Sequence, residues 1–340
     1  MVNTGLLSTT TALRPAQWRA LAREHAERTD RLTARWREAH DAHRKHEIED
    51  FLFSYYPIRP SRLRTWSPGF GTVLLPELHT ELLPDDPSAD PAHDLSQRAS
   101  ARWMTVLTET DQLTGADQLT DSGETGPDLG TDLAGGVTLD VAAYMADRGS
   151  TVRYIHTLLS NTATRPTNLG CFGLHEWAMV YKQDDTRHTL PLRLGGAGTD
   201  QVVEIHKIRC THFDAYRFFT PEAAPLNKLQ PTRELQPAME QPGCLHANMD
   251  LYKWAWKLTP AIPGDLLLDC FELARDIRYL DMQASPYDVS KFDLPAVRIE
   301  TDEGKATYQA AQAEFAERSQ PLRARIIALC EQLIAAVPRN

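Results

Sequence analysis

VVEIHKIRCTHFDAYRFF (202–219) and QPGCLHANMDLYKWAWKL (241–258), joined by a proline-rich bend, hold three of the twelve histidines, two of the five cysteines and two of the seven tryptophans. The second block reads as a helix of roughly residues 245–258. His246 and Asp250 stand four apart on one face, extended by Lys253 and Lys257. Leu251, Trp254 and Leu258 form a neighbouring apolar side, flanked by Tyr252 and Trp256. The first block reads as the second strand of a hairpin over residues 188–213, with GAGTD as the turn. In that reading His206, Ile208, Cys210, His212 and Asp214 share one strand face. Two imidazoles, a thiol and a carboxylate suit neither an apolar core nor an ordinary solvent face. Residues 221–243 carry prolines 221, 225, 231, 237 and 242, the composition of a long loop held on a rigid scaffold.

Helical periodicity dominates elsewhere. Residues 15–45 read as one long helix, with Pro15 in the first turn and Trp18, Leu21, His25, Leu32 and Trp36 recurring at helical steps. Asp140 is a candidate cap for a helix that follows it, and Val152–Leu159 is helical again. A short helix within residues 166–182 carries His175 and Glu176, without the HExxH spacing of a metalloprotease. Two amphipathic helices close the chain, near 265–283 and 303–336, with Pro321 as a kink point. They read as core and carry no assigned chemistry. The expected fold is mainly α with a small antiparallel β-hairpin, one domain interrupted by a flexible acidic insertion at about 80–137.

That insertion explains the charge balance. The net charge is −10, but residues 71–150 hold three basic residues against fifteen acidic ones, while residues 151–260 hold twelve against ten. A general polyanion-binding role is not supported, whereas a local basic face remains open. No apolar run is long enough for a transmembrane helix, and the N-terminus lacks a signal-peptide pattern. Five dispersed cysteines without a CxxC fit reduced thiols. A cytoplasmic protein with no membrane partner is expected.

Three chemistries compete for the polar residues. The first is a metal centre of iron or zinc, with ligands drawn from His46, Glu49, His175, His212, Asp214 and His246. His46, Glu49 and Asp50 would share one side of a helix, and the Cys–His neighbours 171/175, 210/212 and 244/246 would allow a mixed site. The second is hydrolysis at a flipped base, which needs no cofactor. It requires an activating carboxylate, aromatic planes and cations for phosphate. Asp250, with His246, Glu176 and His212, would supply the catalytic groups. Tyr252 and Trp256 would stack the base, and Lys253, Arg209 and Arg217 would meet phosphate. The third is a hydrogen-bonded polar core without a reaction, in a non-catalytic binding module.

Longer blocks carry a resemblance. HEIEDFLFSYYPIRPSRLRTWSPG (46–69), GCFGLHEWAMVY (170–181), RCTHFDAYRFFTPEAAPLNKLQPTRE (209–234), EQPGCLHANMDLYKWAWKL (240–258) and DCFELARDIRYLDMQASPYD (269–288) resemble an actinobacterial family labelled 3-methyladenine DNA glycosylase. The resemblance spans the chain except the acidic insertion, and departs at Glu47, where proline is expected. It implies excision of alkylated purines from damaged DNA in a bacterial repair role. It brings no catalytic residues with it.

Overall fold

The computed structural model describes residues 10–76, 95–108, 133–183 and 189–337. The fold is mainly helical with one small sheet. The helices are α1 (Pro15–Leu32), α2 (Ala34–Asp41), α3 (Glu49–Ser54), α4 (Pro60–Leu63), α5 (Leu95–Ala99), α6 (Val141–Thr164) and α7 (Leu174–Ala178). There follow α8 (Gly195–Ile205), α9 (Phe213–Tyr216), α10 (Gln236–Met239), α11 (Leu245–Met249), α12 (Leu251–Lys257), α13 (Gly264–Ala284) and α14 (Asp302–Ala335).

The sheet is not where the alternation of residues 188–213 puts it. Its strands are β1 (Thr11–Leu13), β2 (Thr72–Leu74), β3 (Met104–Val106) and β4 (Val137–Leu139), in the order β1-β2-β4-β3. The β1–β2 pair is parallel and the other two are antiparallel. Residues 195–205 instead form α8, because Thr199, Val202 and Val203 recur at helical steps and bury together. The glycines read as a hairpin turn open that helix. Part of the acidic insertion is built: α5, β3 and the start of β4 belong to it, and the rest lies outside the described residues. His188, the first residue of the expected hairpin, lies outside them too.

The helical core is organised on α13. Its sequence, GDLLLDCFELARDIRYLDMQA, buries residues on nearly every turn, so it must be surrounded. It packs against α1, α3, α11, α12 and α14. Along α14 runs α6, which also carries α10. Asp140 caps α6 as its position implies, accepting the Ala143 N–H at 2.9 Å. The single helix expected over 15–45 is two, broken at Thr33, whose own hydroxyl bonds the Thr29 carbonyl. Pro321 sits inside the continuous α14. Among the described residues no helix is long and apolar enough to cross a membrane.

α11 and α12 meet at Asp250 with i to i−4 bonds on both sides, Asp250 N–H to His246 and Trp254 N–H to Asp250. They therefore act as one helical rod, close to the expected 245–258. Its entry is clamped by amides. Gln241 accepts the Asn168 and Gly243 N–H groups, both at 2.8 Å, and returns a donor to the Asn168 carbonyl. Gly243 leaves no room for a side chain: a Cβ there would lie 2.6 Å from the Asn168 carbonyl oxygen and 2.9 Å from Thr167 Cγ2. Gly243→Ala should therefore destabilise the protein by about 1–3 kcal/mol through overpacking. Urea unfolding measures this, and an unchanged midpoint would show that residues 166–170 yield freely.

Candidate functional site

Five separate segments deliver buried polar side chains to one place. α7 contributes His175 and Glu176, the N-cap of α9 contributes His212, and the turn after α10 contributes Glu240. The α11–α12 rod contributes His246 and Asp250, and α13 contributes Arg278 and Asp281. Asp250, His212 and Glu240 are wholly buried, and His175, His246 and Asp281 nearly so.

These residues fall into two sets of three. In each of His175–His246–Asp281 and His212–Glu240–Asp250, one candidate ligand atom per residue lies within 4.8 Å of the other two. The sets adjoin: the His175 and His246 rings stand edge to face at 4.3 Å, and His212 and His246 at 5.4 Å between centroids. The four-residue step from His246 to Asp250 gives one helix face a member of each set.

In the first set His175 Nε2 lies 3.0 Å from Asp281 Oδ1, and its Nδ1 lies 3.7 Å from the Cys171 sulfur. Arg278 donates to Asp281 Oδ2 at 3.3 Å and to Glu176 at 3.1 Å, which leaves Oδ1 toward the imidazoles. Burial opposes charge on His175, but Asp281 outweighs it and holds the imidazole well above its ordinary value. Burial likewise opposes charge on Asp281, yet His175 keeps that carboxyl below the usual carboxylate range. His246 goes the other way: burial first, then the charge of His175, press it well below the ordinary histidine value. Two adjacent rings are thus set to opposite charge states. Burial pushes Glu176 up despite Arg278 beside it.

In the second set His212 Nε2 faces Asp250 Oδ2 at 3.2 Å and Glu240 Oε1 at 3.3 Å. Asp250 also accepts the Tyr56 hydroxyl at 2.8 Å and the Lys253 ammonium. Burial alone would raise Asp250; Lys253 and His212 outweigh it and hold the carboxyl below its usual range. Burial, with Asp250 adding to it, raises Glu240. His212 Nδ1 and Glu240 Oε2 are buried and have no hydrogen-bond partner among the described residues. Such orphaned donors and acceptors are rare and costly in a protein core.

Local structure explains these placements. Asn227 brackets the extended residue Cys210, accepting its N–H at 2.7 Å and donating to its carbonyl at 3.1 Å, which aims His212 inward. Arg165 donates to the Pro237 and Glu240 carbonyls and so fixes the turn that carries Glu240. The three Cys–His neighbours converge: Cys171, Cys210, Cys244, His175, His212 and His246 all line one void of about 10 Å³, space for roughly a single water or ion. Burial raises the Cys210 and Cys244 thiols strongly, so they remain protonated and the ready donors are nitrogen and oxygen. Asn168, Arg209, Thr211 and Gln241 are walls of this void and of an open cleft of about 700 Å³.

Several expected roles do not survive. His46 and Glu49 are not at the centre. His46 stacks on Phe292 at 4.9 Å, and its Nδ1 accepts the Glu49 N–H at the start of α3. Glu49 is buried but accepts the Tyr279 hydroxyl at 2.7 Å. Asp214 joins neither set; it is surrounded by Arg217, Arg233 and Lys253. Lys253 cannot serve phosphate while it bridges Asp214 and Asp250. Arg217 is spent on Asp214. Tyr252 is fully buried between Tyr56 and Phe271, at 5.5 and 5.1 Å, with no face open to a base. Trp256 is half-buried against the core. His206 ends α8, bonded to the Val202 carbonyl, so it does not share a face with His212. Asp281 and Glu240 were missed. Asp281 had a signal, a carboxylate three residues from Arg278 on the buried stripe of α13; Glu240, in an irregular turn, had none.

No family model, curated protein or solved structure matches this chain.

The buried charges fix a pH dependence for the metal-free protein. Asp250 and Asp281 have folded values below their unfolded ones, so their stabilisation is present above about pH 4 and is lost as pH falls. His246, also depressed, adds a loss that begins below about pH 6.5. His175, raised, works in the opposite sense and stabilises below about pH 6.5. Urea midpoints should therefore fall steeply below about pH 4. Midpoints flat down to pH 3 would contradict the ionised state of both aspartates.

Proposed function

We propose that this chain is a metal-dependent enzyme, with iron or zinc held at the paired sets His175–His246–Asp281 and His212–Glu240–Asp250. The carrying observation is the convergence of three buried ligand atoms in each set to within 4.8 Å. Glu240 Oε2, without a partner among the described residues, supports it, since that carboxylate keeps an oxygen for an ion beside His212 Nε2. Two imidazoles and one carboxylate suit iron(II) or zinc and leave coordination positions open; one imidazole and two carboxylates make a harder set.

A bound metal would supply Lewis acidity and lower the pKa of water. The chain's own residues have defined tasks around it. Arg278, itself held by Glu176, turns Asp281 so that Oδ1 faces the imidazoles. Tyr56 and Lys253 fix Asp250 in the same way, and one of its lone-pair positions stays free. Neutral His246 presents a lone pair without first losing a proton, whereas His175 must release one.

Base excision draws less support from the geometry. Asp250 is wholly buried, the aromatic candidates lie in or against the core, and among the described residues no tryptophan lines the cleft. The resemblance to the glycosylase-labelled family remains its main support.

Protein from cells grown with ample iron and zinc should carry about one or more of these ions per chain by elemental analysis. His246→Gln and Asp281→Asn should each lower that content severalfold, with circular dichroism confirming the fold. A metal-free chain that also takes up no iron(II) or zinc on titration would end the proposal. Release of a modified purine from alkylated DNA by metal-free protein would put base excision in its place.

A further inference from the structure

The open cleft above the buried sets has a chemistry of its own. Among the described residues its charged lining is Arg165 and Arg209, with no carboxylate. In a chain of net charge −10 this is an unusual local balance. Arg165 is partly committed to the Pro237 and Glu240 carbonyls. Arg209 is exposed and forms no ion pair with any described residue. Its backbone is nonetheless held firmly. Ile208 and Cys210 on either side are buried, the Ile208 carbonyl accepts the Lys228 N–H, and Asn227 brackets Cys210. A fixed backbone carrying an uncommitted guanidinium is a place where an anion can be met in a bidentate way.

The cleft adjoins the void at the centre. Arg209, Asn168, Thr211 and Gln241 wall both the cleft and the void lined by His175, His212 and His246. The cleft's volume of about 700 Å³ is that of a metabolite-sized site. We propose that the cleft binds a small organic anion, with its carboxylate or phosphate on Arg209 and its reacting part directed toward the imidazoles. This substrate class rests on the metal-enzyme reading, but the anion site can be tested apart from it.

The test titrates the intact protein with inorganic phosphate and with succinate by calorimetry, before and after treatment with a chelator, and measures metal content on the same samples. At least one probe should bind with one site per chain. Arg209→Glu should weaken it about tenfold or more, and Arg209→Lys less, because lysine keeps the charge and loses the fork. Both variants should melt and carry metal like the parent, since Arg209 is exposed and offers no ligand atom to either buried set. The two probes separate phosphate from carboxylate as the preferred group. Arg209-dependent binding in a chain without metal would keep the anion site and remove the metal reading. Equal binding by parent and Arg209→Glu, or binding of neither probe, overturns the inference. Arg209-dependent binding of an alkylated DNA duplex in place of the small anions overturns it as well.

Discussion

The structure depends on keeping charges paired where water does not reach. Arg278 and Asp281 lie on the buried side of α13, the helix against which much of the core is packed. Each ion taken from water costs several kcal/mol unless partners replace the lost hydration. Glu176 from α7 meets Arg278, and His175 from the same helix meets Asp281. The pairing fixes how α7 docks on α13, just as the Tyr56–Asp250–Lys253 contacts tie residue 56 to the α11–α12 rod. Stability alone does not account for this arrangement. Buried ion pairs can often be replaced by well-packed apolar residues at no loss, so a core with two imidazole–carboxylate sets side by side points to chemistry.

The opposite settings of His175 and His246 follow from position. Both are buried, and burial disfavours charge on both. His175 touches a carboxylate and keeps its proton; His246 faces the edge of that charged ring and gives its own up. Moving Asp281 or neutralising it would remove the reason for the difference, and the pair would titrate as a unit. Cys210 and Cys244 at the same void behave more simply, since burial raises both thiols and keeps them protonated.

The periodic parts of the sequence were readable because burial on a helix leaves a regular trace. The span and cap of α6, the near-continuous rod of α11 and α12, and the long α13 and α14 all show it. His175, His212, His246 and Asp250 stood out as reactive side chains against apolar neighbours, and the structure brings them together. Strand alternation over 202–212 misled because Thr199, Val202 and Val203 satisfy a helical period equally well, and long-range packing decided between them. His46 and Glu49 have metal-like spacing, but spacing cannot distinguish a ligand set from a helix start that satisfies its own N–H groups. Glu240 was silent because its place is set from a distance, by Arg165 and by Gln236, which donates to its carboxylate at 2.6 Å.

The same distant contacts explain why the two buried sets have a cleft close by. α11 and α13 are regular, so His246, Asp250 and Asp281 are placed by helix geometry. His212 and Glu240 come from irregular chain, which can approach a buried centre only where its backbone polar groups find partners. Asn227, Gln241 and Arg165 provide them, side chain to backbone. The wall these segments build borders the void and the cleft. Rigid helices and amide-clamped loops together hold the two sets of buried side chains in place beside the void.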